Sequence, residues 1–330
     1  MASNNEEIRG VVAPGARITV FGAGRMGLPI SGNLKAAGYD VVVSDIRSEV
    51  AEAVMAQGAR WEPVAAAAVT GADIVITVLP GVPEILELTA GDGPLLPALA
   101  AHTTWVDLTT SSPLVMMPIQ DEALARGVEV LEAPMGGGPG AAQAGTLQLF
   151  AGGDATTFWR VLPVLEAVAD PSRIKLVGGL GLGYTAKLLV NLLWFGQAVA
   201  TAEAMHLGQA AGFDAEALRT LLADSAAGSE FLRHDVQRVF SGDYMPLFGL
   251  DRCTEELEAV TGMFQALGVP SELSQVVTRV HQRALSRFGP VDGELMALAL
   301  MEELAGSRLR PAGDWVPARW PSSALAEESE

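Results

Sequence analysis

The stretch Arg17-Ile18-Thr19-Val20-Phe21-Gly22-Ala23-Gly24-Arg25-Met26-Gly27 decides the fold. It begins with a β-rich run and continues into a G-x-G-x-x-G turn, and a helical pattern follows the turn. A strand, this turn and a helix, in that order, form the context in which the motif predicts dinucleotide binding. We expect Gly22 to permit the tight turn, Gly24 to let a pyrophosphate approach the backbone, and Gly27 to let the helix pack on the strand.

A second β-rich run, Val41-Val42-Val43-Ser44, ends at Asp45. This acid lies about 20 residues beyond the glycines, where a carboxylate binds the ribose 2′-OH of NAD and repels the 2′-phosphate of NADP. The sequence therefore predicts NAD or NADP as the cofactor and favours NAD. Arg47 is an alternative partner for the adenine or a phosphate, and Arg25 and Met26, inside the turn, are further predicted cofactor contacts.

Strands and helices alternate as far as residue 180, which predicts an α/β fold with a Rossmann-type, doubly wound parallel sheet. Further strands are predicted at residues 74–78, 104–107, 128–131, 147–150 and 174–177, and helices at 113–126 and 155–168. Beyond residue 183 the pattern is helical, with breaks at 212–214, 242–243, 268–270 and 289–290. The predicted organisation is a disordered leader (1–15), a dinucleotide-binding Rossmann domain (16–180), an all-α substrate and oligomerisation domain (181–310) and a mobile acidic tail (311–330).

The composition indicates a soluble globular enzyme and excludes several classes of function. The chain has 330 residues, of which 49% are hydrophobic, and its net charge of −18 argues against a nucleic-acid partner. A single cysteine, Cys253, excludes an intrachain disulfide and fits the reducing cytoplasm. The four histidines lack metal-ligand spacing, so no metal site is predicted. No apolar stretch near the N-terminus has the length of a signal peptide or membrane anchor.

The second informative stretch is Gly183-Tyr184-Thr185-Ala186-Lys187-Leu188-Leu189-Val190-Asn191. The apolar run continues to residue 211 and predicts one long core helix, buried on nearly all sides, with Lys187 and Asn191 on one face. Burial lowers the pKa of an ammonium group, which would bring Lys187 toward the range of a proton donor at neutral pH. The alternative is a lysine that extends from a helix end to solvent beside a capping asparagine.

The order of these and other motifs resembles the β-hydroxyacid dehydrogenase family over residues 17 to 305. The matching motifs are Gly22–Pro29 with Asn33-Leu34, Val78-Leu79-Pro80, Asp107-Leu108-Thr109-Thr110-Ser111-Ser112-Pro113, Glu132-Ala133-Pro134-Met135-Gly136-Gly137-Gly138, Gly145-Thr146-Leu147 and the Lys187/Asn191 helix. The resemblance implies a Rossmann domain, a long interdomain helix and an all-α domain that often forms dimers or tetramers.

The resemblance also implies roles for individual residues. Lys187 would be the general acid/base, and Asn191 would position the substrate or the lysine. Leu79, Pro80 and Thr109 would lie along the cofactor, with Thr109 and Thr110 beside the nicotinamide.

Two positions depart from the family pattern. Gly136 stands where the family carries a serine that holds the substrate carboxylate, which leaves the backbone amides of Gly136, Gly137 and Gly138 as donors. Glu255 stands where the family carries a lysine directed toward the active site. Both changes weaken the capture of a small carboxylate. The alternative is neutral change in the loop and a first-turn acid that faces solvent.

The sequence predicts an NAD(P)-dependent oxidoreductase that acts on a carbonyl/alcohol pair, with Lys187 as the general acid/base. Its substrate is predicted to be a small molecule other than a standard small β-hydroxy acid, and Trp194 is a candidate for the substrate pocket. The alternatives are an imine reductase, although these commonly lack a lysine at this position, and a non-catalytic scaffold that binds the cofactor. A homodimer or homotetramer is expected, without a nucleic-acid or membrane partner.

Overall fold

The fold is given by a computed structural model, which describes residues 10–312. Its sheet contains nine strands. The strands are β1 (Arg17–Phe21), β2 (Asp40–Ser44), β3 (Arg60–Trp61), β4 (Ile74–Thr77), β5 (Thr104–Asp107), β6 (Glu129–Glu132), β7 (Met135–Gly136), β8 (Leu147–Gly153) and β9 (Ala169–Gly178). They lie in the order β3-β2-β1-β4-β5-β6-β8-β7, with β9 paired to β8.

The first six strands are parallel and have the Rossmann order, as the sequence predicted. Beyond them the sheet is mixed, because β8 runs antiparallel to both β6 and β7 and parallel to β9. The sequence missed β3 and β7. Each has only two residues, too few to produce an alternating pattern.

Eight helices accompany the sheet. They are α1 (Gly27–Ala36), α2 (Ala51–Ala56), α3 (Ala65–Ala68), α4 (Val82–Thr89), α5 (Leu95–Ala98), α6 (Pro113–Ala125), α7 (Gly138–Ala144) and α8 (Ala155–Glu166). A 3₁₀ turn, Ser48–Val50, precedes α2. The capping residues explain why α6 and α8 begin where the sequence placed them: the side chains of Ser112 and Asp154 accept backbone N–H bonds from the first turns.

The rest of the described chain is helical. Its helices are α9 (Leu182–Ala210), α10 (Ala215–Ala223), α11 (Val236–Ser241), α12 (Leu250–Leu267), α13 (Glu272–Phe288) and α14 (Met296–Ala305), with a π-helical turn at Phe231–Asp235. The helices α9, α12 and α13 each end within two residues of a predicted glycine break. Gly268, for example, adopts the left-handed conformation that ends α12.

The chain divides into two compact units, Met1–Leu189 and Val190–Glu330. In the first unit, two hydrophobic clusters contain the buried side chains of the sheet, and Tyr184 of α9 packs in the second cluster with Trp105. In the second unit, Ala198, Ala202 and Met205 of α9 form a core with the later helices. The division falls inside α9, whereas the sequence placed a boundary at 180/181. The predicted domain limits stay a prediction.

The long helix is less buried than its sequence suggested. Its apolar side chains at Leu182, Leu189, Val190, Leu193 and Leu207 are exposed, while a different face is packed. An apolar sequence on all sides does not reveal which face of a helix its own chain covers. Within residues 10–312, α9 is the one helix long and apolar enough to cross a membrane by length and composition; a core helix passes the same test, so this is weak evidence for a membrane span.

Parts of the predicted leader and tail are packed. Val12 donates its backbone N–H to the Arg160 carbonyl at 2.9 Å, and Gly15 donates to Gly38 at 2.9 Å. At the other end, Ala312 donates its backbone N–H to Asp214 at 2.6 Å. Residues 1–9 of the leader and 313–330 of the tail lie outside the described residues.

Candidate active site and cofactor site

The glycine turn between β1 and α1 brings three backbone segments into close contact. Gly22 has φ +96°, and a Cβ at this position would overlap the carbonyl oxygen of Val78. A Cβ on Gly27 would overlap the carbonyl oxygen of Gly22. Both positions therefore require glycine: the first allows the chain to turn, and the second lets α1 begin against the turn.

The third glycine faces space that a cofactor could use. A Cβ on Gly24 would meet only the Arg47 guanidinium, at 3.8 Å. The helix α1 begins three residues later, so its first N–H groups and its dipole favour an anion there. Arg25 is exposed and Met26 is half-buried. An open turn ahead of a ten-residue helix fits the pyrophosphate of a dinucleotide.

Asp45, which follows β2, is held in place from two sides. Its carboxylate accepts a hydrogen bond from the backbone N–H of Ala23 at 2.7 Å and two from the Arg47 guanidinium, at 3.0 and 2.9 Å. Burial acts to raise the pKa of Asp45, but the bonds from Arg47 and Ala23 outweigh it and hold the pKa below its ordinary value. Asp45 is therefore ionised at neutral pH and already shared with Arg47.

The loops after β4 and β5 are joined at the predicted nicotinamide side. Leu79 donates its backbone N–H to the Thr109 hydroxyl at 3.2 Å, and Thr109 donates its own N–H to Asp107 at 3.0 Å. Thr109 is buried, Leu79 is half-buried and Pro80 is exposed. The hydroxyl of Thr109 thus supports the loop, while Thr110 is the more accessible threonine.

The glycines of the Glu132–Gly138 motif lie at and after β7. A Cβ on Gly136 would meet Gln148 at 3.6 Å, which is an ordinary contact, so a serine would fit at this position. Gly137 and Gly138 have φ +110° and +67° and are exposed. A side chain at these two positions would strain the backbone. The absence of the family serine therefore has no steric cause at Gly136.

Lys187 lies in the second turn of α9, on the part of the helix that belongs to the first unit. Its side chain is half-buried. Asn191 follows one turn later in the second unit, where its side-chain amide donates to the Glu256 carboxylate at 2.6 Å. The lysine and the asparagine thus have the i, i+4 relation that the sequence predicted.

The acid beside Asn191 is Glu256, and the substrate-binding role of Glu255 stays a prediction. Glu255 is exposed and its carboxylate accepts from the Arg252 guanidinium at 3.1 Å. The buried face of α12 contains Cys253 and Leu257, and Glu256 lies at the edge of that face. The period of the buried residues along α12 would have distinguished the two acids, because Glu255 lies on the opposite side.

Trp194, predicted to contact substrate, has a structural partner. Its indole N–H donates to Asp235 at 2.9 Å, and its ring packs edge-on against Phe195 and Phe231 with centroids 5.3 and 5.7 Å apart. The ring is half-buried. A role for Trp194 in the pocket stays a prediction.

The sequence also missed a buried polar network under the start of α9. Asp107 and Glu132 end the neighbouring strands β5 and β6 and lie opposite each other in register. The Tyr184 hydroxyl donates to Asp107 at 2.6 Å, and the backbone N–H of Gly183 donates to Glu132 at 2.7 Å. The Gln120 amide contacts both Tyr184 and Glu132, at 3.4 and 3.3 Å.

The network contains two buried carboxyl groups whose hydrogen-bond donors in the described chain are all neutral. Burial raises the pKa of Asp107, and it raises the pKa of Glu132 to about 7. Burial and the two acids also raise the pKa of Tyr184 well above its ordinary value, so its hydroxyl keeps its proton. Elsewhere in residues 10–312, no cluster of three His, Cys, Asp or Glu side chains is placed to hold a metal ion.

Comparison with known proteins places these features in context. A model of the NAD binding domain of 6-phosphogluconate dehydrogenase matches residues 17–179, and a model described as the NAD-binding region of NADP-dependent 3-hydroxyisobutyrate dehydrogenase matches residues 181–301. A 3-hydroxyisobutyrate dehydrogenase from Pseudomonas aeruginosa is 35% identical over 64% of this chain and 70% of its own length. An NAD-dependent L-serine dehydrogenase from the same organism is 36% identical over 64% and 71%.

Solved structures show the same fold. The 3-hydroxyisobutyrate dehydrogenase of Mycobacterium tuberculosis, determined with L-serine, superimposes with a TM-score of 0.79 at 28% identity and covers 88% of this chain and 99% of its own. An imine reductase from Pseudomonas gives a TM-score of 0.56 at 19% identity, over 87% of this chain and 99% of its own. At that identity the second likeness concerns the fold alone.

Proposed function

We propose, from the premise that this chain belongs to the β-hydroxyacid dehydrogenase family and is an NAD(P)-dependent oxidoreductase, that it interconverts a carbonyl and an alcohol with Lys187 as general acid/base. The observation that carries this proposal is the position of Lys187 on α9, in the same compact unit as the glycine turn. The family also implies a small-molecule substrate.

Each of the predicted site residues would have a separate role. The Gly22–Gly27 turn and Asp45 would hold the cofactor, which supplies or accepts a hydride when it is bound. Lys187 would give a proton to the substrate oxygen during reduction and take it back during oxidation. Proton transfer of this kind contributes about 10² to 10⁴ in rate. Asn191 would orient the substrate or the lysine.

Replacing Lys187 tests this assignment. Lys187→Met should lower kcat by about 10² to 10⁴ and leave the Kd for NADH within twofold, because the glycine turn and Asp45 are unchanged. Lys175→Met is the matched control, since Lys175 is an exposed lysine of β9 in the same unit. Near-normal kcat in Lys187→Met would show that another group moves the proton.

For the substrate, we infer a molecule that is bulkier than 3-hydroxyisobutyrate, or neutral or cationic where the family serine would hold a carboxylate. Gly136 offers no hydroxyl donor and leaves only backbone amides at this position. Each charge-assisted hydrogen bond is worth about 1.5 to 3 kcal/mol, so its loss weakens the capture of a small acid.

A substrate panel with both cofactors tests this inference. Neutral aldehydes and ketones should be turned over with a higher kcat/KM than 3-hydroxyisobutyrate, L-serine, tartronate semialdehyde or succinic semialdehyde. Gly136→Ser should raise kcat/KM for the small acids, because the serine fits and restores a donor. Efficient turnover of these acids by the wild type, with no gain from Gly136→Ser, would contradict the inference. Preferred reduction of a cyclic imine would indicate an imine reductase, and cofactor binding without turnover would indicate a scaffold.

We also propose that the protein is soluble, cytoplasmic and a homodimer or homotetramer. The exposed apolar residues of α9, among them Leu193 and Leu207, form a surface that a second copy of the chain would cover. Membership of the family also supports self-association, because its all-α domain often forms dimers or tetramers. A monomer by light scattering at micromolar concentration would contradict the oligomeric part of the proposal.

A further inference from the structure

One buried carboxylate connects the start of α9 with the loop after β5. Oδ2 of Asp107 accepts the hydroxyl of Tyr184 at 2.6 Å, while Oδ1 accepts the backbone N–H of Thr109 at 3.0 Å and the hydroxyl of Thr77 at 2.6 Å. All four residues are at most 1% exposed. Because the carboxylate is planar and rigid, the phenol of α9 and the Thr109 loop cannot shift independently without breaking one of these bonds.

A second contact holds the same helical turn from another direction. The backbone N–H of Gly183 donates to Glu132 at 2.7 Å. A Cβ on Gly183 would lie 2.5 Å from the carbonyl oxygen of Phe150, and a Cβ on Gly152 would lie 2.7 Å from the nitrogen of Gly183. The start of α9 thus packs backbone against backbone on β8. This contact fixes the distance of the helix from the sheet.

We propose that Tyr184 is a positioning residue, which through Asp107 sets the first turns of α9, and with them Lys187, relative to the Thr109 loop. This inference rests on the proposed function, since it requires Lys187 to act at the nicotinamide. Lys187 follows Tyr184 by three residues, which is less than one helical turn, so a rotation or slide of the helix start moves both. A misplacement of about 1 Å in a reacting group can cost about 10²-fold in rate.

Packing alone does not account for the hydroxyl of Tyr184. The ring fills a cluster with Trp105 and Met116, and a phenylalanine would fill the same space. The hydroxyl instead lies between Gln120 and Asp107, in surroundings where burial raises the pKa of both Tyr184 and Asp107. A buried polar group is costly compared with an apolar one of the same shape. A role in orienting α9 would explain why a hydroxyl is present at this buried position despite that cost in free energy.

The three lysines of the chain allow a test that needs no substrate. Reductive ¹³C-methylation labels the side chains of Lys35, Lys175 and Lys187, and the signal missing from Lys187→Met assigns the third one. The NMR shift of the Lys187 methyl groups is then followed on titration with NADH, and NADH affinity is measured by fluorescence. Tyr184→Phe is the test variant, and Tyr39→Phe removes a buried phenol elsewhere in the same unit as the control.

In the wild type and in Tyr39→Phe, NADH should shift the Lys187 signal. In Tyr184→Phe, NADH should bind with a Kd within twofold while the shift falls by at least half. An unchanged shift in Tyr184→Phe would overturn the inference alone. The absence of a shift in the wild type would instead overturn the proposed function and the inference with it. If Tyr184→Phe fails to fold, the same titration is carried out on Asp107→Asn, because this substitution changes the acceptor of the hydrogen bond that the Tyr184 hydroxyl donates.

With a substrate from the panel, a double-mutant cycle adds a kinetic readout. Tyr184→Phe should lower kcat at least tenfold while KM for the cofactor stays within twofold. If Tyr184 acts through Lys187, adding Tyr184→Phe to Lys187→Met should not lower the residual rate further. If the two substitutions lower kcat additively, or if Tyr184→Phe raises the cofactor KM by the same factor as it lowers kcat, Tyr184 is merely structural.

Discussion

Asp45 and Arg47 form an ion pair at the position where the sequence predicts recognition of the cofactor ribose. Asp45 is anchored by the backbone of Ala23, and its side chain is 6% exposed. Arg47 lies over Gly24 and its side chain is 48% exposed. A 2′-OH can donate to the carboxylate, whereas a 2′-phosphate would be repelled by Asp45 and attracted by Arg47. We therefore expect the anchored carboxylate to favour NAD, while Arg47 would favour NADP.

Replacing the carboxylate measures this balance. Asp45→Ala should lower the ratio of kcat/KM for NADH over NADPH at least tenfold, which corresponds to about 1.4 kcal/mol, because it removes the acceptor and leaves Arg47 unpaired from it. Asp40→Ala, at the opposite end of β2, is the control and should leave the ratio unchanged. A tenfold preference of the wild type for NADPH would show that Arg47 governs the choice.

Single residues were predictable where one backbone position demands one residue type. The glycines of the β1–α1 turn are an example, since the motif states both their spacing and the strand and helix around them. The contact of Glu256 was not predicted, because a motif identifies only a position in the sequence, whereas the pattern of buried residues along α12 decides which side chain turns toward Asn191. The direction in which a helical side chain faces can be predicted only from the pattern of buried residues along the whole helix, and not from one motif.

At the scale of elements, the sequence predicted most strands within one or two residues and the existence of α9. It did not predict the exposed side of α9, because an apolar residue on a helix surface and one in the core look alike in sequence. The Asp107–Glu132 network was missed for a similar reason. Asp107 ends one predicted strand and Glu132 follows another. Their proximity depends on the pairing of β5 with β6, which the alternation of strands and helices does not specify.

For the whole molecule, the two buried acids make stability depend on pH. Asp107 and Glu132 are 0% exposed, and burial raises the pKa of both, that of Glu132 to about 7. An acid whose pKa is higher in the folded than in the unfolded state stabilises the fold while it is protonated in both. For Glu132 that stabilisation is complete below the unfolded pKa of about 4.3 and is lost as the pH rises through about 7.

Glu132→Gln separates the two acids. A glutamine keeps an oxygen for the N–H of Gly183. The side-chain oxygen of Gln120 has no hydrogen-bond partner among residues 10–312, and it can turn toward the new amide. Between pH 5 and pH 8 the free energy of unfolding of the wild type should fall relative to that of Glu132→Gln. The expected change in this difference is about 3 kcal/mol, since each pKa unit is worth about 1.4 kcal/mol.

Urea unfolding at pH 5, 6, 7 and 8 measures this difference. Asp107 is present in both proteins, and Tyr184 titrates above this range, so their contributions cancel in the comparison. Glu122→Gln, an exposed acid of α6 paired with Arg126, is the control and should give a difference that is nearly constant with pH. A constant difference for Glu132→Gln as well would mean that Glu132 is ionised in the fold at pH 5. The N–H of Gly183 at the start of α9 would then donate to a buried carboxylate whose negative charge is stabilised by neutral hydrogen-bond donors alone.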